Sequence, residues 1–147
     1  MTGNSAAGGS TALTGRRILV AEDEYMIAED MADMLAEAGA EALGPVPSVN
    51  DALRLVSSSL ETGRIDAALL DVNLRGEAVW PVVDALLSRG VPVVLASGYD
   101  ASAIPRIYTH LPRCEKPVAP YALAHVLARV LTASGSTTAG NTPSDRG

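Results

Sequence analysis

Four apolar stretches of this chain each run into residues able to do chemistry. Ile18-Leu-Val-Ala21 leads into Glu22-Asp23-Glu24, Ala67-Ala-Leu-Leu70 into Asp71-Val72-Asn73, Val93-Val-Leu-Ala96 into Ser97-Gly98, and the short Arg113-Cys-Glu115 into Lys116-Pro117. Taken singly, each is ordinary: a carboxylate is most often a helix cap or a solvated loop residue, a serine a turn residue, a lysine a solvated charge. Taken together, the ordinary readings require four coincidences. Lys116 is also the only lysine, the other ten bases all being arginine, and a compact, flexible ammonium does work that a planar guanidinium fits poorly. Three carboxylates gathered within about 4–6 Å repel by several kcal/mol per pair at an effective dielectric near 20, so they call for a cation between them. Oxygen-only ligands favour Mg2+, which takes one or two carboxylates, keeps several waters and accepts phosphate oxygens. Such a cation beside a carboxylate nucleophile, a hydroxyl and an ammonium is the equipment of phosphoryl transfer, in which Asp71 would attack phosphorus and become an aspartyl phosphate.

For these residues to meet, the segments that carry them must end at one edge. Five aliphatic or β-branched runs start at Arg17, Ala42, Asp66, Val91 and Arg113, separated by 25, 24, 25 and 22 residues. Runs without polar alternation read as strands covered on both faces, hence parallel. Between them lie helical spacings: Met26, Ile27, Met31, Met34 and Leu35 up to Gly39, then Val49, Leu53, Val56 and Leu60 after Ser48 as cap and up to Gly63. A third runs from about Ala78 through Val82, Val83, Leu86 and Leu87 to Gly90, with Pro81 in its first turn. Ala101 to Tyr108, interrupted by Pro105, predicts a short or irregular fourth helix, and Pro120 opens a fifth carrying Leu123, Val126, Leu127, Val130 and Leu131. The fold class is therefore α/β: a five-stranded parallel sheet with helices on both faces and right-handed crossovers, its ligands at the carboxyl ends of the strands.

Residues 1–15 and 132–147 are Gly, Ser, Thr and Ala with few large apolar side chains, and read as flexible tails around one domain over 16–131. Seventeen acids against eleven bases, with no basic cluster, disfavour a nucleic-acid or anionic-membrane surface. The single cysteine, Cys114, excludes an intramolecular disulfide and a Cys/His metal cage. No apolar run approaches 18 residues and no signal-peptide pattern opens the chain, so a cytoplasmic location is expected. Abundant alanine and arginine suggest a GC-rich source.

The motifs Ile18-Leu-Val-Ala-Glu22-Asp23-Glu24, Asp71-Val-Asn-Leu74, Ala96-Ser97-Gly98 and Lys116-Pro117, in this order and spacing, resemble those of receiver domains of two-component response regulators, over essentially all of 16–131. The resemblance implies the flavodoxin-like strand order 2-1-3-4-5, which leaves the second strand, the one without chemistry at its end, at an edge. It implies that Asp71 is the phospho-acceptor and that Asp23 and Asp71 bind Mg2+ directly, with Glu22 acting through water and Asn73 through its main-chain carbonyl. Ser97 would hydrogen-bond a phosphoryl oxygen, Lys116 would pair with the phosphoryl group or the free Asp71 carboxylate, and Pro117 would follow a cis bond. It also implies a histidine kinase or phosphotransfer protein as donor, and a downstream partner or second copy received on the fourth and fifth strands and fifth helix. Pro92-Val-Val-Leu-Ala-Ser-Gly-Tyr99 is similar to the Pro-Phe-x-Phe-Ala-Thr-Gly-Gly/Tyr motif of a receiver subgroup common in alphaproteobacteria, often stand-alone, with an irregular fourth helix and kinases of the HWE or related type. Both Phe positions are aliphatic here, and the Thr is Ser97. Many receivers place an aromatic switch three residues before the lysine; here that residue is Arg113, so switching is expected to run through Ser97, Gly98 and Tyr99.

Other residues have plainer readings. Met26, Met31 and Met34 read as core, Cys114 as a small buried residue, and His110 as solvated; His125 has no phosphotransfer motif beside it. Trp80 reads as partly exposed, Tyr25 as flanking the acids or packing, and Arg75 as a charge near the phosphoryl group or a solvated one. With no output domain after Leu131, the expected function is a single-domain regulator that changes its protein-binding surface on phosphorylation, without turnover of a separate substrate. The alternatives are an adaptor that keeps the fold without phosphorylation, and an aspartyl-phosphate hydrolase. The latter generally needs a second acid two residues after the nucleophile, where this chain has Asn73.

Overall fold

The computed structural model of the chain describes residues 13–58, 63–98 and 104–140, with side chains as far as Ala133. Its elements in chain order are β1 (Arg17–Ala21), α1 (Tyr25–Glu37), β2 (Glu41–Val46), α2 (Val49–Ser57), β3 (Ala67–Asp71), the two-residue strands β4 (Asn73–Leu74) and β5 (Glu77–Ala78), α3 (Trp80–Leu87), β6 (Val93–Ser97), a 3-10 turn (Arg106–Tyr108), β7 (Arg113–Glu115) and α4 (Pro120–Gly140). Five strands pair in the order β2-β1-β3-β6-β7, all parallel, and β4 pairs antiparallel with β5 in a separate ladder. With that hairpin set aside, this is the order 2-1-3-4-5.

Alternation along each strand splits the core in two. Leu19 and Ala21 of β1, Ala68 and Leu70 of β3 and Val93 and Leu95 of β6 face α2 and α3, meeting Val49, Ala52, Val56, Val82, Val83 and Leu86. Their neighbours Ile18, Val20, Ala67, Leu69, Val94 and Ala96 face α1 and α4, meeting Met31, Leu35, Leu123, Leu127 and Leu131. A residue period of 2 therefore places every second side chain under a different helix pair, which is why these strands show no polar face in sequence. Helix ends are set locally. Ser48 Oγ accepts from Asp51 N at 3.1 Å to open α2, and Gly39, at φ +92°, lets Ala40 N reach back to Leu35 O at 2.9 Å to close α1.

Several expectations are corrected. Leu13, inside the stretch read as an N-terminal tail, is 1% exposed and packs with Ile18 and Leu35 in the core. The last helix does not stop at Leu131 but runs to Gly140; the rest of both tail assignments, 1–12 and 141–147, lies outside the described residues. Met26 is 75% exposed, not core. It lies five residues from buried Met31, about 140° round a helix at 100° per residue, whereas Ala28, Met31 and Leu35 share the buried face. The third helix starts at Trp80, because residues 73–78 form the hairpin. The 3-10 turn is the described part of the irregular fourth-helix region, whose residues 99–103 lie outside the description.

Candidate functional site

The sheet register sets the site. Ala21 is level with Leu70, Asp71 with Ala96, and Ser97 with Glu115, so the carboxyl ends of β1, β3, β6 and β7 open along one edge. Glu22 follows β1 and is 2% exposed, Asp71 ends β3 at 8%, and Ser97 ends β6 at 7%. Lys116 follows β7, anchored by its N–H donating to Ser97 O at 2.9 Å; the Lys116–Pro117 peptide is cis.

Lys116 Nζ lies 2.8 Å from Glu22 Oε1 and donates to Asp71 Oδ2 at 3.0 Å. The approach to Glu22 is short but off the direction of a hydrogen bond, so Oε1 is neutralised by charge while its lone pairs have no aligned donor. Oε2 accepts from Glu24 N at 3.0 Å. Asp71 Oδ1 accepts from Asn73 N at a long 3.4 Å, and Asp23 Oδ2 from Arg75 N at 2.8 Å. Carboxylate oxygens of Glu22, Asp23 and Asp71 lie within 4.8 Å of one another. Such a cluster is what a hard divalent cation takes: oxygen donors only, more than one carboxylate, and a buried acceptor left without an aligned donor.

Ionisation follows from this crowding. Burial pushes the Glu22 carboxyl up to about 7, against the pull of Lys116 and the Glu24 N–H, with the Asp71 charge adding to the rise. Burial also opposes the charge on Lys116, yet its contacts with Glu22 and Asp71 outweigh that and hold the ammonium above its ordinary value. Asp23, for which burial again acts against ionisation, is held below the usual carboxylate range chiefly by the Arg75 N–H.

Glu22, Asp23 and Asp71 thus cluster together with Lys116 bridging Glu22 and Asp71, and Ser97 and Asn73 stand at the same edge. Gly98 is exposed just past β6, Arg113 is exposed on β7 opposite Leu95, and Tyr99 lies outside the described residues. His110 and His125 are exposed, His125 stacking on Tyr121. Trp80 is half-buried against Tyr108, and burial raises the Cys114 thiol pKa. Beside the acids opens a recess of about 240 Å3 walled in part by Tyr25, Pro45, Pro47 and Arg75. Arg75 was legible only as a possible charge; its contact with the site is through its backbone, and the hairpin that presents it carried no periodic signal.

No family model matches the chain. SdrG from Sphingomonas melonis Fr1, solved in solution, is 38% identical, with a TM-score of 0.68 over 82% of this chain and 98% of its own. The BeF3-activated conformation of SdrG from Pseudomonas melonis Fr1 is 37% identical at a TM-score of 0.65, covering 78% of this chain and 95% of that one. A response regulator receiver protein from Sinorhizobium medicae WSM419 is 23% identical and shares the fold at a TM-score of 0.69, over 82% of this chain and 97% of that one. The transcriptional regulatory protein PdtaR of Mycobacterium tuberculosis is 30% identical over 86 residues, 58% of this chain and 40% of PdtaR, so the chain spans about two fifths of that relative. A relative at this identity that is matched almost end to end, around a sheet of the receiver order, makes the chain a member of the receiver family of response regulators.

Proposed function

We propose that this chain accepts a phosphoryl group on Asp71 from a histidine kinase, of the HWE type on the motif at 92–99, or from a phosphotransfer protein, and that the modification alters its protein-binding surface. The observation that carries the reading is the position of the only lysine, bridging Glu22 and Asp71 at 2.8 and 3.0 Å inside the acid cluster. Asp23 and Asp71, with Glu22 through water and the Asn73 carbonyl, would hold Mg2+, which supplies when bound the positive charge that phosphoryl oxygens need. An Asp71 carboxylate oxygen attacks phosphorus as the bond to the donor imidazole nitrogen breaks, and the electron pair leaves with that nitrogen. Lys116 then has a phosphoryl oxygen to neutralise in place of the Asp71 carboxylate. Ser97, at the end of the neighbouring strand, donates its hydroxyl to another, and the segment that follows Gly98 is re-posed. The surface that follows is that of β6, β7 and α4, which would receive a partner protein or a second copy.

The test is intact-mass spectrometry after incubation with acetyl phosphate and Mg2+. A single phosphoryl addition that vanishes in Asp71→Asn and in chelator is expected. Absence of any addition, both from acetyl phosphate and from phosphorylated HWE-type kinases, would overturn the reading in favour of an adaptor.

A further inference from the structure

The acid cluster draws on a hairpin that none of its carboxylates belongs to. Asp23 sits between the end of β1 and the start of α1, in no regular element. Its Oδ2 is met instead by the Arg75 N–H, 52 residues away in sequence, at 2.8 Å. Two positions earlier, the Asn73 N–H points to Asp71 Oδ1. Through these two N–H groups the segment Asn73-Leu74-Arg75 addresses both acids at once.

The geometry of that segment is set by its turn. Asn73 pairs with Ala78 and Leu74 with Glu77, leaving Arg75 and Gly76 as a two-residue loop. Their φ values are +55° and +83°, the positive pair that a type I′ hairpin requires. Gly76 N–H donates to Asn73 Oδ1 at 2.9 Å across the loop. Leu74 and Val79, both 0% exposed, pin the hairpin to the core, and Val79 N–H donates to Val72 O at 3.0 Å below it. Arg75 is the one non-glycine residue with positive φ among the described residues. A side chain rarely sits there without the surroundings imposing it.

We propose that the 73–78 hairpin is a clasp for the cation-binding acids: its left-handed turn fixes the Arg75 N–H against Asp23, and this backbone contact, not the Arg75 guanidinium, positions Asp23 to receive a divalent cation. The proposal rests on the reading of the acids as a Mg2+ site, and makes Arg75 a positioning residue in the binding step. The loop owes its clasp to conformation, so variants that keep the N–H but change the turn separate the backbone from the side chain. Arg75→Gly keeps the N–H and favours positive φ. Arg75→Val keeps the N–H but is disfavoured there. Arg75→Pro removes the N–H and forbids the turn.

The experiment is calorimetric titration of the full chain with Mg2+ alone, beside a thermal melt of each protein in chelator. Arg75→Gly is expected to melt a few degrees higher than wild type and bind about twofold more tightly, because the clasped turn is more populated. Arg75→Val is expected to weaken binding about threefold, and Arg75→Pro about tenfold or more, in line with losing a hydrogen bond to a charged group. Should Arg75→Pro fail to fold, the order Gly, wild type, Val still decides. A tenfold loss in Arg75→Gly assigns the effect to the guanidinium and overturns the clasp. Wild-type affinity in a folded Arg75→Pro, or in Arg75→Val if Arg75→Pro does not fold, overturns it too, while leaving the Mg2+ site standing. A wild-type chain that takes up no Mg2+ overturns the reading of the site and the clasp with it.

Discussion

Glu22 and Lys116 carry opposite charges 2.8 Å apart, yet Glu22 is the group that suffers from the site. Its carboxyl titrates about 7 in the fold, from an ordinary 4.5, because burial outweighs the ammonium beside it. Between those values the folded chain holds a proton that the unfolded chain has released. The contribution of this group to the stability of the metal-free protein is therefore greatest on the acid side of this window and falls as pH climbs from about 4.5 through 7, by on the order of 3 kcal/mol. Lys116, held above its ordinary value, stays charged throughout and adds no slope there. Urea unfolding in chelator at pH 5, 6, 7 and 8 measures this. Glu22→Gln should flatten the profile and raise stability at pH 8, whereas a wild-type profile already flat would show that Glu22 ionises freely. The residue types at these positions were readable in the sequence because each closes an apolar run. The long-range N–H from Arg75 was not, since a backbone donor leaves no mark on residue identity.

Elements were legible in proportion to their length and the strength of their periodicity. β1, β3 and β6 are continuous aliphatic runs, and α2 announces itself with Ser48 and an apolar stripe. β4 and β5, two residues each, are too short for any period, and arginine at the first loop position hides the turn that an Asn-Gly pair would have advertised. Residues 132–140 lengthen α4 although Ala-Ser-Gly-Ser-Thr offers no apolar stripe. The segment between β6 and β7 is tied to α3 by Trp80 and Tyr108, stacked at 4.5 Å with an interplanar angle of 7°, and by Tyr108 OH donating to Asp84 Oδ1 at 2.8 Å. Trp80 is the only tryptophan of the chain, so its emission reports on that tie. If phosphorylation re-poses the segment after Gly98, BeF3 with Mg2+ should change Trp80 emission in intensity or wavelength, and Asp71→Asn should abolish the change. Emission indifferent to BeF3 in a protein that binds it would mean that the tie holds in both states.

Across the whole molecule, the two core layers share one sheet, so damage on either face is felt by the strands that carry the site. Leu70→Ala beneath α2 and α3, and Leu127→Ala on the sheet-facing side of α4, each remove a side chain with 0% exposure. Each is expected to cost about 2–5 kcal/mol, read from chemical unfolding. Leu70→Ala, one residue from Asp71, should in addition slow phosphorylation, which Leu127→Ala should leave alone. Equal effects of the two on that rate would deny any local coupling of core to site. The sheet's outer strands are guarded in different ways, β2 by Pro45 after a cis bond and β7 by its three-residue length and exposed Arg113 and Glu115. Two-sided burial also explains why the core was legible from hydrophobicity alone while Leu13, a lone apolar residue in a polar stretch, was not. The single lysine has a practical side as well. To reagents that acylate amines, the described surface is nearly blank: Lys116 is the one side-chain target, with 17% of its side chain exposed between two carboxylates. Its ammonium must lose a proton before it can react, so labelling should be slow at neutral pH, and one acyl group at this position would erase the charge that Glu22 and Asp71 share.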